Sequence, residues 1–300
     1  MNKETNPILL IPMCGVGKRF QDSGYKIHKS LLDVHKKCML ERVINKFPQS
    51  FDTYIISTAR IKEKITKSKD IFFNIENINW IIIEEHKLGP GYTLQQSVDK
   101  IPADRPIYIS YCDITWEWNE SDLPHQKTNI EAAIFTHHGF HPHLINNSFS
   151  AFCKKDKNNN LIKIKEKGSF TKDWMNEELS IGLFYIRKKS LLKESLFELI
   201  NKKYIVNNEY YPSLIFNFFI KKNIKVNLIK VKSFVHYGTP DQLEDFKDWI
   251  EKSNNLSINK KIKFSTIILA AGRGKRMKNI SNSPKGLIKV GNQRLINKVI

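Results

Sequence analysis

ILLIPMCGVGKRF, residues 8–20, is followed by HKSLLDV, which carries Lys29. An apolar run of strand length ends at Pro12, and Gly15 and Gly17 turn the chain into Lys18 and Arg19. Glycines at such a turn leave backbone N–H groups uncovered for an anion. Arg19 adds a planar fork of donors that suits phosphate oxygens. The stretch is not a dinucleotide fingerprint, which needs GxGxxG and an acidic residue closing the next strand, and it lacks the GKS or GKT ending of a P-loop. Taken alone, GxGxR describes a tight turn as well as it describes a phosphate loop.

Recurrence separates the two readings. Residues 267–277 read IILAAGRGKRM, and Lys285 follows in PKGLIKV. Gly15 maps to Gly272, Arg19 to Arg276 and Lys29 to Lys285, with one residue of slippage, and Val43-Ile44 matches Val299-Ile300. The first unit runs from residue 1 to 253 and is long enough to bury a sizeable core. Residues 254–263 are polar and without hydrophobic periodicity, as a linker would be. Residues 264–300 hold a strand, a loop and the start of a helix, the truncated opening of a second copy.

Working outward, short apolar runs alternate with helical spacing. Strands are expected at Ile8–Pro12, Thr53–Ser57, Trp80–Glu84 and Ile107–Tyr111, and helices at Met39–Phe47, Arg60–Lys67 and Tyr92–Ile101. Further strands are expected at Glu131–Phe135, Leu161–Lys165, Ile181–Ile186 and Lys225–Val231. Helices are expected at Leu191–Ile200, Tyr210–Lys221 and Asp241–Ile250. Alternation of this kind implies βαβ units and a mainly parallel sheet, a Rossmann-like three-layer α/β/α domain.

The 300 residues carry 49 Lys and Arg against 30 Asp and Glu, a formal charge of +19. Such a balance attracts anions, but the lysines are scattered and not gathered on one helix or block. With no zinc-finger spacing, aromatic RNA-binding signature or basic helix, nucleic acid is not the expected partner. Cys14, Cys38, Cys112 and Cys153 form no CxxC pair and read as buried free thiols of a reducing compartment. No apolar run approaches a membrane span, and the first one leads straight into the glycine loop. A cytoplasmic enzyme without membrane insertion is expected; self-association is left open.

LAAGRGKRM followed by PKGLIKV resembles the opening of the sugar-phosphate nucleotidyltransferases, whose pattern is LAAGxGxR and then PKxL. The first copy is a drifted version, with Pro12-Met13-Cys14 for LAA and His28 for the proline. SYCDITWEW, GFHPH at 139–143, EKGSFT at 166–171 and YGTPDQLEDF extend the resemblance to a branch found in capsule and surface-polysaccharide loci. It implies a GT-A-like fold, a mixed sheet, an NTP and a phosphorylated sugar or phospho-alcohol as reactants, and Mg²⁺ as cofactor.

Carried over residue by residue, the resemblance places Met13, Cys14, Gly15, Val16 and Gly17 around the nucleotide. It makes Arg19, Lys29 and Lys167 the groups that handle the reacting phosphates. Gly89, Pro90, Gly91, Tyr92 and Thr93 correspond to the segment that holds the base. Glu166, Gly182, His141 and His143 fall on the acceptor side. Asp113, at the carboxyl edge of the sheet, takes the position of the magnesium aspartate. The family's second metal aspartate is replaced by His236, in FVHYGTPD, which puts the metal site at issue.

The histidines His137, His138, His141 and His143 do not read as a zinc site, because strand geometry sends His137 and His138 to opposite faces. Tyr210, Tyr211, Phe216, Phe218 and Phe219 read as core of a helix. The function expected is nucleotidyl transfer with release of pyrophosphate. The alternatives are a degenerate nucleotide-binding or regulatory domain and, third, a nucleotide-sugar glycosyltransferase.

Overall fold

A computed structural model of the chain describes residues 6–67, 78–102, 104–119, 121, 123–141, 150–256, 289–290 and 293–294. It divides into two compact units, Met1–Ile250 and Glu251–Ile300. Within the described part of the second, β12 (Lys289–Val290) pairs antiparallel with β13 (Gln293–Arg294). The repeated LAAGRGKRM and PKGLI segments lie outside the described residues.

The first unit is built on β1 (Ile8–Pro12), whose side chains explain the layering. Ile8 and Leu10 enter one apolar cluster, and Leu9 and Ile11 another. Successive strand residues face opposite sides of a sheet, so a run without polar interruption requires cover on both faces. One cover is α4 (Pro90–Ser97), α5 (Lys189–Asn201) and α6 (Ile215–Lys221), through Leu94, Leu192, Leu196, Phe216 and Phe219. The other includes α2 (Met39–Ile44) and α3 (Ala59–Lys67), through Leu40, Val43, Ile61 and Ile65. Three layers result, as the strand–helix alternation implies.

The sheet adds β2 (Asp52–Ser57), β3 (Ile78–Ile82), β4 (Ile107–Ser110), β6 (Ala132–His138), β9 (Glu178–Ile186) and β10 (Val226–Lys230), in the order β10-β6-β9-β4-β1-β2-β3. The pairs β4–β1, β1–β2, β2–β3 and β6–β10 are parallel, whereas β9 runs antiparallel to β4 and β6. The sheet is therefore mixed and mainly parallel. A hairpin of β7 (Ala151–Lys155) and β8 (Leu161–Lys165) joins the far end of β9.

Beside the main sheet, β5 (Ile114–Glu117) and β11 (Ser233–His236) form a separate antiparallel ribbon, pairing His236 with Ile114. It is followed by α7 (Pro240–Leu256). This ribbon, which the sequence pattern did not predict, places His236 next to the chain leaving β4. All four cysteines are buried and unpaired. Among the described residues no helix is long and apolar enough to cross a membrane.

Candidate active site

The carboxyl ends of β1 and β4 open into a cavity of about 860 Å³. Open α/β sheets hold their ligands at such an edge. The loop after β1 enters it as a wall: Met13, Cys14, Gly15, Val16, Gly17, Lys18 and Arg19 all line the space. Met13 is pinned from behind, donating its N–H to the Ile56 carbonyl at 2.8 Å and accepting from Ser57 Oγ at 3.3 Å. Gly17 takes a left-handed backbone (φ 71) and starts the short helix α1 (Lys18–Asp22), which presents Arg19 to solvent and buries Phe20.

His28 fixes the near end of this loop. Its Nε2 meets the Gly15 carbonyl at 3.0 Å, and its Nδ1 lies 2.8 Å from Ser30 Oγ. A carbonyl only accepts, so Nε2 carries the proton and Nδ1 receives the Ser30 bond. Burial depresses the imidazole to about 4, against smaller support from the Gly15 carbonyl. It is neutral at physiological pH and acts as a strut.

The next residue crosses the cavity. Lys29 Nζ donates to Asp113 Oδ2 at 2.8 Å, the two side chains being 25% and 19% exposed. Burial works against both charges, but each neutralises the other. The lysine is held above its ordinary value, and the carboxyl below its own. Asp113 lies three residues past the end of β4, where its carbonyl accepts from Tyr237 N at 3.0 Å. It is anchored to the ribbon and not to the strand itself.

The far wall is made by Ser150, Ala151, Glu166, Lys167, Ser180, Ile181 and Gly182. Lys167 adopts a left-handed backbone (φ 56), unusual for a lysine, and its Nζ lies 5.2 Å over the Tyr211 ring. Glu166 accepts from Ser213 Oγ at 2.5 Å; burial above all holds its carboxyl above the usual range. Gly182 has φ 83, and a Cβ there would stand 2.4 Å from Tyr111 Cδ2. The tyrosine ring packs closely against the glycine and forms the cavity floor.

Tyr111, Glu209, Tyr211 and Ser213 line the cavity although the motifs did not single them out for it. The last three arrive on a loop whose Asn207 and Asn208 both have positive φ (49 and 61) beneath a Val206–Glu209 bridge. Consecutive left-handed residues make a tight type I′ turn, for which asparagine pairs are suited. NNEY is the signal that could have located this wall. Tyr211 is both part of the buried core and a lining residue, Tyr210 packs against that core, and Phe216, Phe218 and Phe219 are core.

The segment expected to hold the base divides. Gly89, Pro90 and Thr93 line the cavity, together with Glu85, His86 and Lys87. Gly91 and Tyr92 are not among the lining residues. Gly91 donates its N–H to the Tyr210 carbonyl at 2.7 Å, and Tyr92 packs on His86 with ring centroids 4.8 Å apart. Nor does His141 line the cavity: it is 2% exposed and stacks on His236. His143 lies outside the described residues.

For a divalent cation, Asp113 and His236 both face the cavity. Among the described residues no group of three or more His, Cys, Asp or Glu is placed to hold a metal. The Asp113 carboxylate fits a hard cation whose other ligands are phosphate oxygens and water, and His236 lines the same cavity with its Nδ1 on Gln242 Oε1 at 3.0 Å. Cys14 is no nucleophile, since burial pushes its thiol up to about 11.

No protein-family model matches the chain, and no curated protein matches its sequence. The fold does match solved structures. A nucleoside-diphosphate-sugar pyrophosphorylase from Vibrio cholerae RC9 aligns with a TM-score of 0.64 at 18% identity, over 80% of this chain and 99% of that one. A Bacillus anthracis structure assigned as a glucose-1-phosphate thymidylyltransferase, bound to sucrose, aligns at 0.61 and 14%, over 87% and 98%. The inositol-1-phosphate CTP transferase of T. maritima aligns at 0.58 and 11%, over 83% and 97%. The chain thus has the α/β fold of these nucleotidyltransferase structures, across nearly the whole of each.

Proposed function

We propose that the chain is a nucleotidyltransferase. It moves NMP from an NTP to a phosphorylated sugar or small phospho-alcohol and releases pyrophosphate. The observation that carries this reading is the Lys29–Asp113 pair, with the Lys29 stem against Gly17 of the glycine loop and with Arg19 and Lys167 lining the same cavity. Five cations (Lys18, Arg19, Lys29, Lys87 and Lys167) and four carboxylates (Glu85, Asp113, Glu166 and Glu209) line the cavity, so it can meet two polyanionic reactants and a cation between them.

In this reading an oxygen of the acceptor phosphate attacks the α-phosphorus, forming the new O–P bond as the bond to the β-phosphate oxygen breaks. Positioning and charge neutralisation supply the acceleration. Gly15 to Gly17 and Arg19 receive the triphosphate and then the leaving pyrophosphate. Lys29 bridges the reacting phosphates, Lys167 clamps the incoming one, and Glu166 and Gly182 face the acceptor body. Asp113 and His236 would hold a Mg²⁺-type divalent cation, which when bound offsets triphosphate charge.

The capsule and surface-polysaccharide setting, and a tandem arrangement completed by a second copy after residue 264, belong to the same proposal and rest on the sequence motifs. Thermal shift with CTP, UTP, dTTP, ATP and GTP tests it. One nucleotide should raise the melting temperature in a manner dependent on Arg19 and Asp113; no shift with any nucleotide contradicts the reading.

A further inference from the structure

Of the carboxylates that line the cavity, Asp113 is matched by Lys29, and Glu85 reaches Arg60 at 4.0 Å. Glu166 and Glu209 are held by hydroxyls instead. Ser213 Oγ donates to Glu166 Oε2 and Tyr211 Oη to Glu209 Oε2, each at 2.5 Å, and among the described residues neither carboxylate is in an ion pair. Both bonds fall on Oε2, so Oε1 of each can accept from a ligand. Burial first, and in smaller measure the nearby charge of Glu209, works to hold the Glu166 carboxyl above its usual range. Two like charges set close in a partly buried wall call for a cation between them.

Aromatic rings complete the surroundings. Burial, and then the acidic groups Glu166, Tyr211, Asp113 and Glu209, hold the Tyr111 hydroxyl well above its ordinary value, so these groups gather around one phenol. The Tyr211 ring already takes an ammonium on its face, that of Lys167, whose Nζ lies 5.2 Å from the ring centroid. Lys167 reaches that place from a left-handed backbone (φ 56). Glu209 is set just as tightly: a Cβ on Gly89 would come within 2.8 Å of its Cβ. Carboxylates and ring faces thus converge on one wall of the cavity.

We propose that Glu166 and Glu209, with the rings of Tyr111 and Tyr211, form a subsite for an ammonium group, and that the acceptor is a phosphorylated amino alcohol. Arg19, Lys29 and Lys167 line the same cavity and suit the phosphate end of such a zwitterion. Phosphate that draws Lys167 off the Tyr211 ring frees that face for the ligand's own cation. Sugar hydroxyls can donate to carboxylates, but they bring no charge to offset the pair. A primary ammonium donates to the carboxylate oxygens, and a methylated one rests on the ring faces beside them. That the ammonium-bearing molecule is the acceptor rests on the nucleotidyl reading above; that the subsite takes an ammonium does not.

The test is isothermal titration calorimetry of the full chain with phosphoethanolamine, phosphocholine, glycerol 3-phosphate and glucose 1-phosphate. Each is titrated alone and with the α,β-methylene analogue of each NTP. An ammonium ester should bind at least about tenfold more tightly than either ester without a cation, the scale of one hydrogen bond to a charged group. Phosphoethanolamine ahead of phosphocholine assigns the binding to the carboxylate oxygens and the reverse order to the ring faces; either order supports the subsite. Glu166→Gln and Glu209→Gln keep the shape and remove the charge, and each should bring the ratio towards parity. The wild-type ratio is decisive even where a variant does not fold. Glycerol 3-phosphate or glucose 1-phosphate bound as tightly as both ammonium esters, no binding of any ester, or a ratio unchanged in both variants overturns the inference. Binding of an NTP analogue alongside any of these results leaves the nucleotidyl reading standing. An ammonium preference without binding of any analogue overturns that reading and keeps the subsite.

Discussion

Lys29 Nζ and Asp113 Oδ2 lie 2.8 Å apart across the cavity. Two residues separated by 84 positions thereby hold each other charged in a partly buried site. The pair is poised for exchange: triphosphate can take the lysine and a cation the carboxylate, with no net charge left unmatched. Lys29→Ala is expected to lower turnover by at least about a hundredfold. It should also raise the Asp113 carboxyl towards its ordinary range, since the lysine is the chief influence opposing burial there. Initial rates, with the Asp113 titration followed by NMR, measure both; wild-type rates in the variant would remove Lys29 from the chemistry.

The cavity floor depends on a missing side chain. Gly182→Ala would bring a Cβ to 2.4 Å from Tyr111 Cδ2 and force a non-glycine residue to φ 83. A loss of about 1–3 kcal/mol is expected from the backbone alone. Adding Tyr111→Ala should relieve the clash but not the backbone cost, so calorimetry of the double variant should show partial recovery. Full stability in the single variant would contradict the packing described.

Two walls of the cavity are physically joined. Tyr210 N donates to Leu88 O at 2.8 Å, and Gly91 N to Tyr210 O at 2.7 Å, while Glu209, Tyr211 and Ser213 lie on the same loop. A Cβ on residue 91 would sit 2.8 Å from the Tyr210 oxygen. Gly91→Ala should therefore weaken nucleotide and acceptor binding together, by about tenfold or more each. Calorimetric titration of the two ligands reads this; a loss confined to the nucleotide would show that the walls are independent.

His28 sets a pH limit on the loop. Its folded value of about 4 lies below the ordinary 6.5 because burial penalises the charged ring. Between these values the unfolded chain binds the proton more readily, so stability is full above about 6.5 and falls as pH drops towards 4. Its contribution is on the order of 3 kcal/mol. Asp113, held low, adds a loss in the same direction at acid pH. His28→Gln retains a donor for the Gly15 carbonyl and should flatten the dependence. Melting temperatures from pH 4 to 7.5 that are identical in both proteins would contradict this account.

Much of this was legible in the sequence because burial on both faces leaves uninterrupted apolar runs. Ile8–Pro12 and Ile107–Ser110 have no polar side chain before the sheet edge apart from Ser110. The ribbon strands β5 and β11 were not legible: each has four residues, and their paired residues lie 116 or more positions apart in the chain, a partnership local pattern cannot encode. The glycine loop, Lys29, Asp113 and Lys167, which line one cavity, could be named from motifs. The floor and the wall at 209–213 could not, because Tyr111 acts through contact with Gly182, and Glu209, Tyr211 and Ser213 through a docked turn. The base segment shows the converse, with Gly91 serving the Tyr210 contact and not the cavity.

Pyrophosphate release by the purified chain tests the central claim most directly. The assay would supply each NTP with a panel of sugar 1-phosphates, glycerol phosphate and phosphocholine, in Mg²⁺ and in Mn²⁺. The account predicts release with one base and one acceptor class, matched by formation of the nucleotide-diphospho product and lost in Lys29→Ala and Asp113→Asn. Nucleotide binding without pyrophosphate release from any combination would contradict it and leave a binding domain without transferase chemistry.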